Sequence, residues 1–146
     1  MNILFMCVAN SARSQMAEGL AKLILGPHFN IESAGSKPWK INPWAIKVMS
    51  ELGIDISNHH SKSIEEIDPK FVDRLNYIIT LCAEEVCPTM AAQEAKRLHW
   101  PLSDPAGKSE GDNEQIKVFR EVRDEIKKRI EQFKSEISRT SLQDLK

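Results

Sequence analysis

The first 25 residues of the chain combine a short apolar strand, a tight loop and an amphipathic helix. Residues 2–6 form an almost wholly apolar run that predicts a buried strand. From Ser14 to Leu25, apolar side chains recur at helical spacing until Gly26 and Pro27 stop the helix. A strand that leads through a short loop into a helix is typical of the repeating unit of an α/β sheet. This opening therefore constrains the fold class more than any other feature of the sequence.

The rest of the chain continues the same alternation. Further strands are predicted over residues 30–33, 75–81 and 97–100, and further helices begin at 42–43 and at 114. The last helix carries apolar residues at spacings of three and four as far as residue 137. We therefore predict a single α/β domain over residues 1–137, with a four-stranded parallel sheet and helices on both faces. Residues 138–146 are predicted to be a flexible tail.

Composition excludes several classes of function. The chain has 146 residues, of which 41% are hydrophobic, and it contains 20 cationic and 21 anionic side chains. The molecule therefore lacks the overall positive charge that is typical of nucleic-acid-binding proteins. The longest apolar run, residues 3–9, is far shorter than the ~20 residues of a membrane helix, and no basic segment precedes it. We expect a cytoplasmic protein that binds neither nucleic acid nor membrane. The three cysteines then remain thiols and serve either packing or chemistry.

The loop between the first strand and the first helix has the residues of an anion site. Cys7 ends the strand, Arg13 follows six residues later, and Ser14 opens the helix. Backbone N–H groups in such a loop form a nest, the helix start adds positive potential, and a guanidinium can hold two oxygens of a tetrahedral oxyanion. The same field favours the thiolate of Cys7, while Asn10 tolerates a left-handed conformation and Ser14 can donate to the sulfur. The predicted oxyanion site comprises Cys7, Val8, Ala9, Asn10, Ser11, Ala12, Arg13 and Ser14.

The two other cysteines are placed where they can reach this loop. Cys82 follows the predicted third strand, at the sheet edge where ligands of parallel sheets bind, and Cys87 comes five residues later. A structural zinc site is not expected, because it needs four ligands in close pairs and His59-His60 has no matching partner. Two alternatives remain open: a pair of redox-active thiols, or two cysteines that pack as small apolar residues.

The segment from Cys7 to Gly19, Cys-Val-Ala-Asn-Ser-Ala-Arg-Ser-Gln-Met-Ala-Glu-Gly, resembles the signature loop of the low-molecular-weight protein tyrosine phosphatase superfamily. That superfamily includes thioredoxin-coupled arsenate reductases. Further motifs follow in family order, so that the resemblance spans about residues 2–137 and points to the reductase branch. These motifs are Ser33-Ala34-Gly35, Asn42-Pro43-Trp44-Ala45, Gly53-Ile54-Asp55-Ile56-Ser57, Thr80-Leu81-Cys82, His99-Trp100, Asp104-Pro105-Ala106-Gly107 and Phe119-Arg120 with Arg123-Asp124.

The resemblance implies a fold like that of the low-molecular-weight phosphatases and a role for each thiol. Cys7 would be the nucleophile that forms an adduct with arsenate, Cys82 the first resolving thiol and Cys87 the second. Chemistry supplies a reason for three thiols, since a lone cysteine would stall at a covalent adduct whereas further thiols can carry the oxidation away as a disulfide. Asp104 matches the family carboxylate that handles protons beside the nucleophile. Thioredoxin would be the reductant of a monomeric enzyme that needs no metal or cofactor, with phosphate as a competitor of arsenate.

The sequence departs from the family pattern at two places. Phosphatases of the superfamily carry aromatic residues soon after the Asp-Pro pair, whereas here none occurs before Phe119 and Trp39 is the obvious substitute. The aromatic wall of the substrate pocket is therefore expected to be absent, and its absence favours a small inorganic oxyanion as substrate. Lys62 stands where several reductase relatives have an aspartate that helps to bind potassium together with residues matching Asn10, Glu18 and Ser33. Its ammonium could take the place of the cation, or it could be a solvated surface lysine, and no bound potassium is predicted.

Two other functions fit the same residues. A protein phosphatase would use Cys7, Arg13 and Asp104 and leave Cys82 and Cys87 without a catalytic role. A non-enzymatic thiol redox sensor would exchange disulfides with a partner but would not turn over. Within the leading interpretation, the sequence leaves open whether thioredoxin, glutaredoxin or another thiol is the physiological reductant.

Overall fold

The computed structural model describes residues 1–83, 94–107 and 111–144, so Cys87 lies outside the described residues. This part of the chain contains four strands and four α-helices. They are β1 (Asn2–Cys7), α1 (Arg13–Leu25), β2 (Asn30–Gly35), α2 (Pro43–Ser50), α3 (Pro69–Asp73), β3 (Leu75–Thr80), β4 (Lys96–His99) and α4 (Asp112–Asp144).

The strands form one parallel sheet with the order β2-β1-β3-β4. The predicted fold class, a four-stranded parallel sheet with helices, is confirmed. Because β1 lies between β2 and β3, it is buried along its whole length. In the sheet register Cys7 lies beside Gly35, and Met6 lies beside Thr80. The carboxyl end of β1 is therefore enclosed between two neighbouring strands.

Alternation along β1 divides the core into two layers. Ile3 and Phe5 belong to a large cluster that includes apolar side chains of α1, α2 and α4, whereas Leu4 and Met6 belong to a smaller cluster on the other face. Side chains from α3 and from a 3-10 turn at Ile64–Glu66 pack against the smaller cluster. Successive side chains of a strand point to opposite faces, so a wholly apolar strand requires cover on both.

The closing helix is longer than its apolar pattern. We predicted a helix over residues 114–137 and a flexible tail after it, whereas α4 runs from Asp112 to Asp144. The predicted end of the helix at residue 137 is wrong, because the periodicity records only core contacts and Ile137 is the last described apolar side chain that packs against the core. Once a helix is nucleated, each further residue adds a backbone hydrogen bond at little cost. Among the described helices, none has the length and apolar character that crossing a bilayer requires.

Candidate active site

The loop after β1 is closely packed against the end of β2. Asn10 has the left-handed conformation with φ of 48°. A Cβ atom added to Gly35 would lie 2.3 Å from the carbonyl oxygen of Val8 and 2.9 Å from the amide nitrogen of Asn10. Only glycine therefore allows the loop to approach the neighbouring strand this closely.

Three carbonyl groups of the loop, those of Val8, Ala9 and Ser11, are directed towards the segment that follows β2. Their partners are the N–H of Lys37 for Val8 (3.0 Å), of Trp39 for Ala9 (2.9 Å) and of Asn42 for Ser11 (3.0 Å). In a trans peptide the next N–H points away from the carbonyl, and no described peptide bond is cis. The N–H groups of residues 9, 10 and 12 are therefore turned away from residues 37–42, which is the arrangement that a nest for an anion requires.

The sulfur of Cys7 lies in a buried hydrogen-bond network. Its Sγ is 2.8 Å from Ser14 Oγ, and Asn10 Nδ2 donates to the same hydroxyl oxygen at 2.8 Å. Cys7 is a free thiol and is 2% exposed. When Cys7 is ionised its sulfur has no proton, so the Ser14 hydroxyl is the donor of this bond. The network can thus stabilise a thiolate.

Arg13 is buried at the start of α1 and reaches across the sheet edge. Its Nη1 donates to the carbonyl oxygen of Leu102 at 2.8 Å and lies 3.5 Å from that of Leu81. Its Nη2 is 3.9 Å from Asp104 Oδ2, and the other oxygen of Asp104 accepts from Ala106 N at 3.0 Å. The guanidinium is thus held by the segments that follow β3 and β4, with a partly exposed carboxylate beside it.

These groups share one cleft of about 290 Å³. Five of the eight residues of the predicted oxyanion site line it, and Asp104 and Trp39 line it with them. Trp39, the substitute that the sequence offers for the missing aromatic wall, is 68% exposed and lines this cleft. The described lining residues are Cys7, Ala9, Ser11, Ala12, Arg13, Trp39, Asn42, Asp104 and Ala106.

Cys82 follows β3 on the same edge of the sheet. The N–H of Leu81 donates to the carbonyl oxygen of Met6 at 2.9 Å, which continues the pairing of β3 with β1 up to the residue before Cys82. Cys82 is buried, 2% exposed, and disulfide-bonded. It does not belong to the described lining of the cleft. Cys87, the third predicted thiol, lies outside the described residues.

A buried carboxylate lies behind the loop. Glu18 is 4% exposed and accepts hydrogen bonds from Ser33 Oγ at 2.7 Å and from Lys22 Nζ at 2.8 Å. Burial alone would raise the pKa of Glu18, but these hydrogen bonds and the nearby ammonium groups outweigh it and lower the pKa. Lys62 Nζ lies 3.8 Å from Glu18 and 3.2 Å from Glu32. Because Lys62 is only 9% exposed, the alternative that it is a solvated surface lysine is wrong.

Sequence reasoning missed the groups that hold Asn10 in place. Gln15, fully buried in α1, donates to the side-chain oxygen of Asn10 at 3.0 Å. Ser61 Oγ donates to the backbone carbonyl of Asn10 at 2.7 Å, and the N–H of Lys62 donates to its side-chain oxygen at 2.9 Å. His59 Nδ1 lies 3.0 Å from Gln15 Oε1. Residues 59–62 are far from Asn10 along the chain, so no local pattern could indicate these contacts.

Comparison with known proteins gives a consistent result. The family profile for low molecular weight phosphotyrosine protein phosphatases matches residues 2–143. An arsenate reductase of Halalkalibacterium halodurans is 46% identical over 134 residues, which cover 90% of this chain and 93% of that protein. A solved arsenate reductase in the phosphate binding state superposes with a TM-score of 0.76 at 35% identity, covering 93% of this chain and 98% of the other.

A second solved structure that is similar to this chain is a thioredoxin-dependent enzyme. The thioredoxin-dependent arsenate reductase of Corynebacterium glutamicum superposes with a TM-score of 0.71 at 28% identity. The match covers 95% of this chain and 62% of that one. The sequence match and the shared architecture agree along nearly the whole chain. The protein therefore belongs to the low molecular weight phosphotyrosine protein phosphatase family.

Proposed function

We propose that this protein reduces arsenate to arsenite and that Cys7 is the nucleophile. The observation that carries the proposal is the cleft in which Cys7, the buried Arg13 and residues 9, 11 and 12 of the loop meet. This arrangement suits a tetrahedral oxyanion with several negatively charged oxygens. The arsenate reductase that is similar over 90% of this chain supports arsenate as that oxyanion.

The proposed first step joins the sulfur of Cys7 to arsenic. The thiolate attacks arsenic(V), an arsenic–oxygen bond breaks, and the departing oxygen leaves as water after protonation. Asp104 is the proposed proton donor, because its carboxyl group lies in the same cleft and can give a proton to a leaving oxygen. Arg13 would hold two of the remaining oxygens through its planar fork.

The proposed later steps pass the oxidation along the other two cysteines. Cys82 attacks the sulfur of Cys7, and the sulfur–arsenic bond breaks with its electron pair on arsenic, which leaves as arsenite. Cys87 then attacks Cys82 and releases the Cys7 thiolate, so that the disulfide moves to the pair Cys82 and Cys87. The observation that Cys82 is disulfide-bonded while Cys7 is a free thiol supports this order.

A dithiol protein of the thioredoxin class is the proposed reductant of the final disulfide. The thioredoxin-dependent structural relative supports this choice over glutaredoxin. Phosphate, which has the shape and charge of arsenate, is proposed to compete for the cleft, and the relative in a phosphate binding state supports it. We further propose that the protein acts as a monomer in the cytoplasm, where a reducing environment keeps Cys7 available.

The test follows arsenate-dependent turnover of the full chain with thioredoxin, thioredoxin reductase and NADPH, alongside mass spectrometry of the digested protein. Cys7→Ser should abolish both the adduct and turnover. Cys82→Ser should accumulate the arsenic adduct or release it unreduced. Cys87→Ser should stop after one turnover with a disulfide between Cys7 and Cys82. Full multi-turnover activity of Cys87→Ser with thioredoxin would overturn the relay, and oxidation of one equivalent without turnover would favour a redox sensor.

A phosphatase activity is the second candidate, because Trp39 and Asp104 border the same cleft as Cys7. Trp39 could pack against the ring of an aryl phosphate, and Asp104 could protonate the leaving phenol. Hydrolysis of an aryl phosphate would then require Cys7 and decline in Trp39→Ala, but would be unchanged in Cys82→Ser. Arsenate reduction, in contrast, should be lost in Cys82→Ser.

A further inference from the structure

Gln15 occupies an unusual place for a glutamine of an amphipathic helix. It lies in the first turn of α1, is fully buried, and contacts the loop after β1 as well as residues 59 and 60. An apolar side chain would satisfy the packing requirement of such a position without any polar partner. The hydrogen bonds of Gln15 therefore point to a role in the arrangement of the loop.

The direction of the hydrogen bonds around Gln15 is fixed by atoms that can only accept. Its Nε2 lies 3.3 Å from the backbone carbonyl oxygen of Asn10 and 3.2 Å from that of His60. Since carbonyl oxygens do not donate, the NH2 group must face them, and Oε1 must face His59 Nδ1. His59 Nδ1 must in turn carry a hydrogen, because Gln15 Oε1 at 3.0 Å and Glu18 Oε2 at 3.3 Å are both acceptors.

The same reasoning fixes the side chain of Asn10. Its Oδ1 accepts from Gln15 Nε2 at 3.0 Å and from the N–H of Lys62 at 2.9 Å. Its Nδ2 therefore faces Ser14 Oγ and donates to it. If the amide were reversed, Oδ1 would face the Ser14 hydroxyl and take its hydrogen, which would no longer be available to the sulfur of Cys7.

We propose that Gln15 is a positioning residue for Cys7, acting through a one-way series of hydrogen bonds from His59 to Gln15, Asn10, Ser14 and finally the Cys7 thiolate. Gln15 makes no hydrogen bond to the sulfur and is not among the described residues that line the cleft, so it would act through Asn10. It favours the one orientation of Asn10 that leaves the Ser14 hydroxyl free to donate to the sulfur. The role rests on Cys7 being the nucleophile, as proposed above, but not on the later disulfide steps.

The test uses the pH dependence of Cys7 alkylation by iodoacetamide in the reduced full chain, followed at the Cys7 peptide by mass spectrometry. Charged groups near Cys7 are Arg13 and Asp104, and those near His59 are Glu18, Lys22, Lys62 and Asp55; none of them is altered. Gln15→Met removes the donor at similar size. Gln15→Glu keeps the shape but replaces the donor by an acceptor.

We expect the midpoint of the alkylation profile to rise by about 0.5 pH unit in Gln15→Met. Below the midpoint this shift corresponds to a loss of thiolate of about threefold. The midpoint should rise further in Gln15→Glu. At pH values above both midpoints the rates should converge with that of the wild type. Gln132→Met, a change at an exposed glutamine of α4, is the matched control and should leave the profile unchanged. If Gln15→Met lowered the free energy of unfolding but left the midpoint of Cys7 alkylation unchanged, Gln15 would have only a structural role, and the proposal would be overturned.

A double-mutant cycle with Ser14→Ala identifies the route. The shift caused by Gln15→Met should disappear in the Ser14→Ala background, because the series passes through that hydroxyl. An undiminished shift there would overturn the proposal. Alkylation requires no arsenate turnover, so failure of this test and failure of the proposed reduction are distinguishable.

A measurement on the wild-type protein keeps the proposal testable even where the variants do not fold. Nitrogen chemical shifts of His59 in the labelled protein distinguish the two neutral tautomers. The series requires a hydrogen on Nδ1. A neutral His59 with its hydrogen on Nε2 would present a lone pair to Gln15 Oε1 and would overturn the proposal.

Discussion

Gly35→Ala should damage the active site although Gly35 lies on a neighbouring strand and touches no substrate. The new Cβ would lie 2.3 Å from the carbonyl oxygen of Val8, whereas ordinary contact begins at 3.4 Å. The two must therefore separate by about 1 Å. Both contacts of this Cβ are with backbone of the loop, Val8 and Asn10, so no side-chain rotation can relieve them.

A displacement of about 1 Å at a catalytic group can lower the rate by about 100-fold. We expect a fall of that order in kcat/KM for arsenate and a weaker inhibition by phosphate. Overpacking should also lower the free energy of unfolding by about 1–3 kcal/mol, which urea denaturation would measure. The φ of Gly35 lies outside the left-handed region, so the effect would be steric.

Gly19→Ala provides the matched control. Its Cβ would also meet close neighbours, but these are side-chain methyl groups of Met49, Ile56 and Ile54, the nearest at 2.9 Å, and not backbone atoms of the loop. They can adjust without moving the loop, so kcat/KM should stay near the wild-type value. If Gly35→Ala retained kcat/KM within twofold, the view that close contact with β2 shapes the oxyanion loop would be refuted.

Three further predictions concern charged groups. Arg13→Lys keeps the charge but loses the planar fork, so phosphate should inhibit at least about tenfold more weakly. Unchanged inhibition would count against Arg13 as a ligand of the oxyanion. Lys62→Met removes a cation beside the buried Glu18 and should lower the free energy of unfolding by about 1–2 kcal/mol. Urea denaturation measures this change, with Lys47→Met on the surface of α2 as the control. Glu51 accepts hydrogen bonds from Arg120 and Arg123, which lower its pKa to about 2. Its contribution to stability should be complete above pH ~4.5 and lost as the pH falls towards 2, and Glu51→Gln should flatten that acid limb of the unfolding curve.

The central strand, the helix after it and the meeting of Cys7 and Arg13 between them could be predicted because their determinants are local. An apolar strand, a loop with Cys7 and Arg13 at fixed spacing, and a helix that opens at Ser14 lie within one short stretch of sequence. The field of a loop and a helix start depends on backbone geometry rather than on distant partners. Trp39 could also be placed beside the cleft, since few other aromatic residues were available to border it.

Short elements and long-range polar contacts could not be predicted. The helix α3 has five residues, too few to complete two turns of a periodic pattern. In the sequence Gln15 cannot be distinguished from other polar residues of the helix, because its partners His59 and His60 lie more than forty positions away. The end of α4 could not be predicted from periodicity, because no described apolar side chain after Ile137 packs against the core.

The strand order explains why two cysteines distant in the sequence lie at the same edge of the sheet. From β1 the chain crosses to β2 on one side and later returns to β3 on the other, so the strand order reverses at β1, and ligands of open α/β sheets bind at such points. Adjacent strands are about 4.8 Å apart. Because Met6 lies beside Thr80, Cys7 lies beside Leu81 and one step short of Cys82. Cys7 is thus enclosed by β2 and β3, whereas Cys82 comes just after the last residue that pairs with β1. Cys7 is thus held between two strands, and Cys82 lies at the same edge of the sheet where the pairing of β3 with β1 has ended.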